Sequence, residues 1–191
     1  SQLHALGLQP STDPEAWSRR IQLPPLYSRW LQQSLRFLQL SDGSNISQES
    51  MWERWKVFQA EALTDPNRRA QSILADITLK ALPEILQGRQ QATAVMFPNG
   101  SMGLVEPIYK NNALSDHFNA VLGEALLRHI EHLLSRQPDA RLRLVEIGAG
   151  TGGTSAGLFE LLKPYADNIE EYCYTDLSKA FLLHGQSAFG E

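Results

Sequence analysis

The hydrophobic positions change their period part-way along the chain. In the first half they recur at helical spacing; in the last third they gather into short blocks bounded by glycine and proline. Asp13, Pro14 and Glu15 read as a helix start: a capping side chain, a proline in the first turn and an acid beside it. That helix holds Trp17 and is broken by Pro24 and Pro25. Leu26, Trp30, Leu31, Leu35 and Leu38 predict an amphipathic helix to about Leu40, followed by a turn over residues 41–45. A helix from near Ser47 carries Met51, Trp52, Trp55, Phe58 and Leu63, a set broad enough to be mostly buried. Asp65 and Pro66 start another, with Ile73, Leu74, Ile77 and Leu82 as its face; Pro83 should kink or interrupt it before Gly88. Residues 88–114 read as mostly irregular, with Ala94, Val95, Met96 and Phe97 a short strand or buried anchor and residues 107–112 extended. Ser115 or Asp116 should cap a long helix to about Ser135, its buried stripe formed by Phe118, Val121, Leu122, Ala125, Leu126, Ile130, Leu133 and Leu134.

After Pro138 and Asp139 the pattern becomes strand, glycine turn, helix. Leu144, Val145, Glu146 and Ile147 form an apolar, β-prone run, and Gly148, Ala149, Gly150, Thr151, Gly152, Gly153 and Thr154 follow. Gly148, Gly150 and Gly153 keep a G-x-G-x-x-G spacing, which nicotinamide, flavin and S-adenosylmethionine (SAM) sites share. Glycine accepts positive φ and lets a backbone approach a ligand, while the following helix offers free N–H groups. A carboxylate at Glu146 repels a pyrophosphate and attracts the ammonium of a methionine moiety; the alternative is a glutamate that only caps loop amides. Leu158, Leu161 and Leu162 form the face of the helix after the loop, and Pro164 ends it. A second strand, Tyr172, Cys173, Tyr174 and Thr175, ends on Asp176, about 20 residues beyond the turn, where an acid can hold a ribose diol. Capping of the helix that runs from Ser178 towards Phe189 is the other role open to Asp176.

These residues carry a resemblance. The run from Val145 to Thr154, then Tyr174, Asp176, Leu177, Ser178, Phe181 and Leu182, resembles the SAM-dependent C-methyltransferase domains of modular polyketide synthases and of hybrid polyketide–peptide assembly lines. Glu106, Pro107, Ile108, Tyr109, Lys110 and Asn111, with Phe118 and Asn119, resemble the segment that precedes the core in that family. The resemblance implies an α/β fold: a helical lid over residues 1–114, then the first part of a Rossmann-like core over residues 115–191, with an incomplete sheet that bares edges and apolar faces. It implies SAM as cofactor, held by Glu146, the loop from Gly148 to Thr154, Asp176 and Leu177, and places Tyr109 and Asn119 on the substrate side. The acceptor it implies is the α-carbon of a β-ketoacyl thioester on the phosphopantetheine arm of an acyl carrier protein, with neighbouring synthase domains as partners. The family's histidine–glutamate base matches no residue of this chain, so no catalytic base is assigned. An N-methyltransferase of a peptide synthetase, or a non-catalytic scaffold remnant, are the alternatives. For Tyr109 the alternative is simple packing.

Composition narrows this picture a little. A net charge of −4 gives no basic footprint for nucleic acid, and no stretch approaches the roughly 20 apolar residues of a membrane span. The N-terminus lacks the charged-then-apolar pattern of a secretory leader. Cys173 is the sole cysteine, which suits a reducing cytoplasm. His129 and His132 flank Glu131 without further ligands in register, so no metal is expected; His117 and His184 stand alone and receive no catalytic role.

Overall fold

The computed structural model describes residues 2, 6–8, 13–40 and 48–190. The chain divides into two compact units, Ser1–Ser101 and Met102–Glu191.

The first unit is helical. Helix α1, Pro14–Ile21, starts where its capping signal stands: the Asp13 carboxylate accepts the Glu15 N–H at 3.1 Å. Trp17 is buried and donates its indole N–H to the Leu6 carbonyl at 2.9 Å. Helix α2, Ser28–Leu40, supplies Leu31 and Leu35, which join Leu8, Trp17 and Leu86 in one core. Leu26 lies in a short 3₁₀ turn before α2 and is exposed, so the stripe begins one turn later than its spacing suggested. The turn predicted over residues 41–45, the start at Ser47 and the Leu38 side chain lie outside the described residues.

Helix α3, Gln48–Ala62, departs from expectation. Met51, Phe58 and Leu63 are exposed, not buried. The helix docks along one edge on α4, Pro66–Leu86, and one such edge covers only part of a broad apolar set. The joint is polar: Asp76, itself largely buried, accepts the Trp55 indole N–H at 3.0 Å and pairs with Lys80 at 2.7 Å. Burial raises the Asp76 pKa, but the hydrogen bonds from Lys80, Trp55 and Gln59 outweigh it and hold the carboxyl below its ordinary value. Asp65 caps α4 through the Asn67 N–H at 2.9 Å. Pro83 neither ends nor interrupts this helix, which runs on to Leu86. Ala92–Met96 is a short helix, α5, with Val95 buried, so the apolar anchor there is helical and not a strand.

The second unit opens on a helical turn, α6, Glu106–Tyr109, where an extended segment was expected. Pro107 stands in its first turn, the place in a helix where proline's fixed φ and missing N–H cost nothing. Lys110 is extended, Asn111 has φ 56°, and Asn112 caps α7, Ala113–Arg136, by accepting the Leu114 and Ser115 N–H groups. The cap is therefore Asn112 and neither Ser115 nor Asp116. The Ser115 hydroxyl is engaged elsewhere, donating to the Ile108 carbonyl at 2.7 Å.

Strands β1, Leu142–Ile147, and β2, Ile169–Thr175, pair in parallel, with Glu146 opposite Tyr174 and Ile147 opposite Thr175. Helix α8, Gly153–Leu162, crosses between them, and α9, Lys179–Phe189, follows β2. Helices α7 and α8 cover one face of the pair through Ile130, Leu158 and Leu162, with Leu126, Leu127, Leu134, Leu142 and Leu144 against them. Gly123 lies against α8: a Cβ there would lie 2.6 Å from the Leu161 side chain. Phe118, Val121 and Leu122, predicted in the buried stripe of α7, are exposed on the adjoining face. Val145 and Ile147 are likewise bare, Ile147 at 88% exposure, so the face of the pair away from α7 and α8 is apolar and uncovered among the described residues. Among the described residues no helix is long and apolar enough to cross a membrane.

Candidate functional site

The site forms where β1 turns into α8. Gly148, Gly150 and Gly152 have φ of 74°, 58° and 74°, a left-handed conformation that L side chains rarely adopt. The glycines serve two different purposes. A Cβ at Gly148 would meet nothing within 4 Å, and one at Gly150 only the Gly148 carbonyl at 3.9 Å, so this side of the loop is open. A Cβ at Gly152 would strike the Phe189 ring at 2.5 Å, and one at Gly153 the Tyr109 carbonyl oxygen at 2.6 Å. The first pair leaves room for a ligand; the second permits close internal packing. Helix α8 begins on Gly152 without a side-chain cap, which leaves its first N–H groups available.

The end of β2 holds this loop. Asp176 Oδ2 accepts the Gly150 N–H at 3.0 Å, and its Oδ1 accepts the Ser178 N–H at 2.7 Å. The Tyr174 hydroxyl donates to the Gly150 carbonyl at 2.7 Å, and the Ala149 N–H donates to the Thr175 carbonyl at 2.9 Å. Both polar groups of the Gly150 backbone are thus gripped from β2. Asp176 holds the glycine loop and turns the chain towards α9, but it is not the helix cap that the sequence offered as its other role: the N-cap of α9 is Ser178, with no side-chain cap bond. Each carboxylate oxygen has a second lone pair left for a ligand. Leu177 beside it is fully exposed, while Ala149 and Thr151 are buried.

Glu146 is half-buried on the helix-covered face of β1, where its Oε2 accepts the Ser155 hydroxyl at 2.6 Å and the Tyr172 hydroxyl at 2.7 Å. Burial, then the hydrogen bond to Glu146 and its charge, push the Tyr172 phenol above its ordinary value and keep it a donor. Burial followed by the charges of Glu146 and Asp176 does the same for Tyr174. From the sequence, Ser155 receives no role, and Tyr172 and Tyr174 enter only as strand residues, Tyr174 also within the family-like run. The available signal was a hydroxyl at each of three positions within otherwise apolar, packed segments.

Tyr109 and Asn119 come together with the start of α8. Asn119 donates from Nδ2 to the Tyr109 carbonyl at 3.3 Å and accepts the Thr154 hydroxyl on Oδ1 at 2.8 Å. The Tyr109 ring is more than half exposed.

One consequence concerns stability. A Cβ at Gly185 on α9 would lie 2.7 to 3.1 Å from three atoms of the Tyr174 ring. Gly185→Ala must displace that ring, whose hydroxyl is bound to the Gly150 carbonyl. Overpacking costs about 1–3 kcal/mol, offset in part by about 1 kcal/mol of helix propensity. Thermal denaturation is expected to show a net loss; an unchanged or raised melting temperature would mean the ring relaxes freely.

No family model matches the chain. Relatives do. It is 46% identical over 176 residues to the polyketide synthase PksM of Bacillus subtilis (strain 168), covering 86% of this chain and 4% of the relative. It is 42% identical over 190 residues to the polyketide synthase ThaQ of Burkholderia thailandensis, covering 93% of this chain and 9% of that protein. The crystal structure of DszA carbon methyltransferase superposes with a TM-score of 0.82 at 28% identity, over 99% of this chain and 51% of that one. The chain is a polyketide-synthase segment with the carbon-methyltransferase fold. It spans a small fraction of the synthases it matches and about half of the solved methyltransferase.

Proposed function

We propose that the segment is the cofactor-holding part of a SAM-dependent C-methyltransferase domain, with residues 1–114 as its helical lid and residues 115–191 as the start of its core. The observation that carries this reading is the Asp176 carboxylate, brought onto the Gly150 amide beside an open glycine turn. The donor set suits SAM. Asp176 offers free lone pairs to a ribose diol, Leu177 a bare apolar side chain to the adenine, and the backbone from Gly148 to Thr154 close approach without a Cβ at its open positions. Glu146 contributes negative charge behind the loop, and its bonds to Ser155 and Tyr172 fix where that charge sits. When bound, SAM supplies an electrophilic methyl group. The acceptor in this reading is the α-carbon of a β-ketoacyl thioester carried by an acyl carrier protein, within an assembly line of neighbouring synthase domains.

The test uses the complete methyltransferase domain that contains this chain, deuteromethyl-labelled SAM and a β-ketoacyl carrier protein. The expected product gains one labelled methyl at the α-carbon, located by NMR. Label on an amide nitrogen would favour the peptide-synthetase alternative, and a domain that binds no SAM would sink the reading.

Tyr109 stands on the acceptor side in this proposal, where its exposed phenol donates to a developing enolate. Tyr109→Phe keeps the ring and removes the hydroxyl. Methyl transfer is expected to slow about tenfold or more with the melting temperature nearly unchanged. Turnover at the parent rate would leave Tyr109 a packing residue.

A further inference from the structure

The amide of Asn119 joins three elements. It sits on α7, accepts from Thr154 at the start of α8, and donates to the carbonyl of Tyr109 at the end of α6. That carbonyl already lies against Gly153, where a Cβ would come within 2.6 Å of its oxygen and 3.1 Å of its carbon. A second tether from α7, the Ser115 hydroxyl, holds the Ile108 carbonyl at 2.7 Å. The backbone of α6 is therefore fixed at two successive carbonyls, while the Tyr109 ring beyond it stays exposed.

We propose that Asn119 is a positioning residue, which sets the spacing between the Tyr109 segment and the glycine-loop helix and does not itself contact the acceptor. This deepens the methyltransferase reading and rests on it for the meaning of that spacing. The chemistry of the amide is specific. One orientation presents an acceptor to the Thr154 hydroxyl and a donor to the Tyr109 carbonyl at once. An aspartate keeps the first and turns a carboxylate oxygen towards a carbonyl oxygen. A leucine removes both hydrogen bonds and so releases both partners from α7. Transfer of a methyl group needs nucleophile, carbon and leaving group in line, and a displacement of about 1 Å costs up to about a hundredfold in rate. A loosened bridge should therefore act on turnover more than on cofactor affinity.

The experiment compares Asn119→Asp and Asn119→Leu in the complete domain by two independent readouts. Hydrogen exchange, measured without SAM, follows peptides spanning residues 106–112 and 150–156. Both should lose protection together in Asn119→Leu, whereas Asn119→Asp, which keeps the Thr154 bond, should lose it chiefly in residues 106–112. Loss in neither peptide of Asn119→Leu, or in only one of them, overturns the bridge, whatever the domain does with SAM. Steady-state kinetics then use SAM and a β-ketoacyl carrier protein. The turnover number is expected to fall about tenfold while the SAM dissociation constant stays within about twofold. In the double variant with Tyr109→Phe the two losses should not add, because Asn119 acts through Tyr109. Additive losses, or equal losses of affinity and turnover, would overturn the positioning role. A parent domain that binds no SAM but shows the linked exchange response would sink the methyltransferase reading alone.

Discussion

Gly150→Val is expected to abolish measurable SAM binding in the complete domain. The reason is conformational before it is steric. Gly150 has φ 58°, and a β-branched residue is a strong outlier there. The left-handed region costs an ordinary L-residue about 1–2 kcal/mol, and branching at Cβ adds to that. The loop cannot relieve this strain by a small rotation, because its N–H is bound to Asp176 and its carbonyl to Tyr174. The new side chain also projects into the open side of the turn, where only the Gly148 carbonyl comes within 4 Å. Strain and occlusion together place the loss at about a hundredfold or beyond. Gly150→Ala separates them: it keeps most of the strain and little of the bulk, and should lose about tenfold. Tryptophan fluorescence provides a control, since Trp17, Trp30, Trp52 and Trp55 all lie in the first unit. Their emission should match the parent. Calorimetric affinity unchanged in Gly150→Val would remove this loop from the cofactor site.

The features legible in the sequence are those that depend on neighbours along the chain. Asp13 with Pro14, and Asp65 with Pro66, each start a helix where they stand, because a cap and a first-turn proline act within a few residues. The glycine spacing is equally local, and Asp176 is found by its distance from it. Errors arose where a distant partner chose between local options. Ser115 is as good a capping type as Asn112, but its hydroxyl goes to Ile108, so Asn112 caps. The apolar surface of α7 is broad enough for several faces; the one that packs on α8 holds Gly123 and Ile130 and leaves Phe118 and Val121 bare. Within the site, Tyr172 meets Glu146, and Tyr174 meets Gly150, only after β1 and β2 pair across 24 to 26 residues of chain, and Ser155 meets Glu146 only once the glycine turn folds α8 back on β1. Periodicity says that such a strand is packed, not which hydroxyl it delivers to which carboxylate.

Asp176 offers a sharper division of roles, because the structure gives it work to do with no ligand at all. Asp176→Ala is expected to weaken SAM binding by about thirty- to a thousandfold. Hydrogen bonds to a charged acceptor contribute about 1.5–3 kcal/mol each, and a ribose diol offers two, with non-additivity reducing the sum. Part of any loss will come from the loop, since the same carboxylate anchors the Gly150 N–H at 3.0 Å and the Ser178 N–H at 2.7 Å. Tyr174→Phe isolates that part. It removes the other grip on Gly150, at 2.7 Å, and leaves the carboxylate in place. If the diol reading holds, Tyr174→Phe should weaken SAM by only a few-fold, whereas Asp176→Ala loses far more at a comparable drop in melting temperature. Asp176→Asn should fall between them: it keeps one acceptor but turns an N–H₂ towards a backbone donor or a hydroxyl. Calorimetry across the three variants decides the matter. Equal losses for Tyr174→Phe and Asp176→Ala would mean that Asp176 acts only by shaping the loop, and a SAM affinity untouched by Asp176→Ala would return the residue to its turn-forming role before α9.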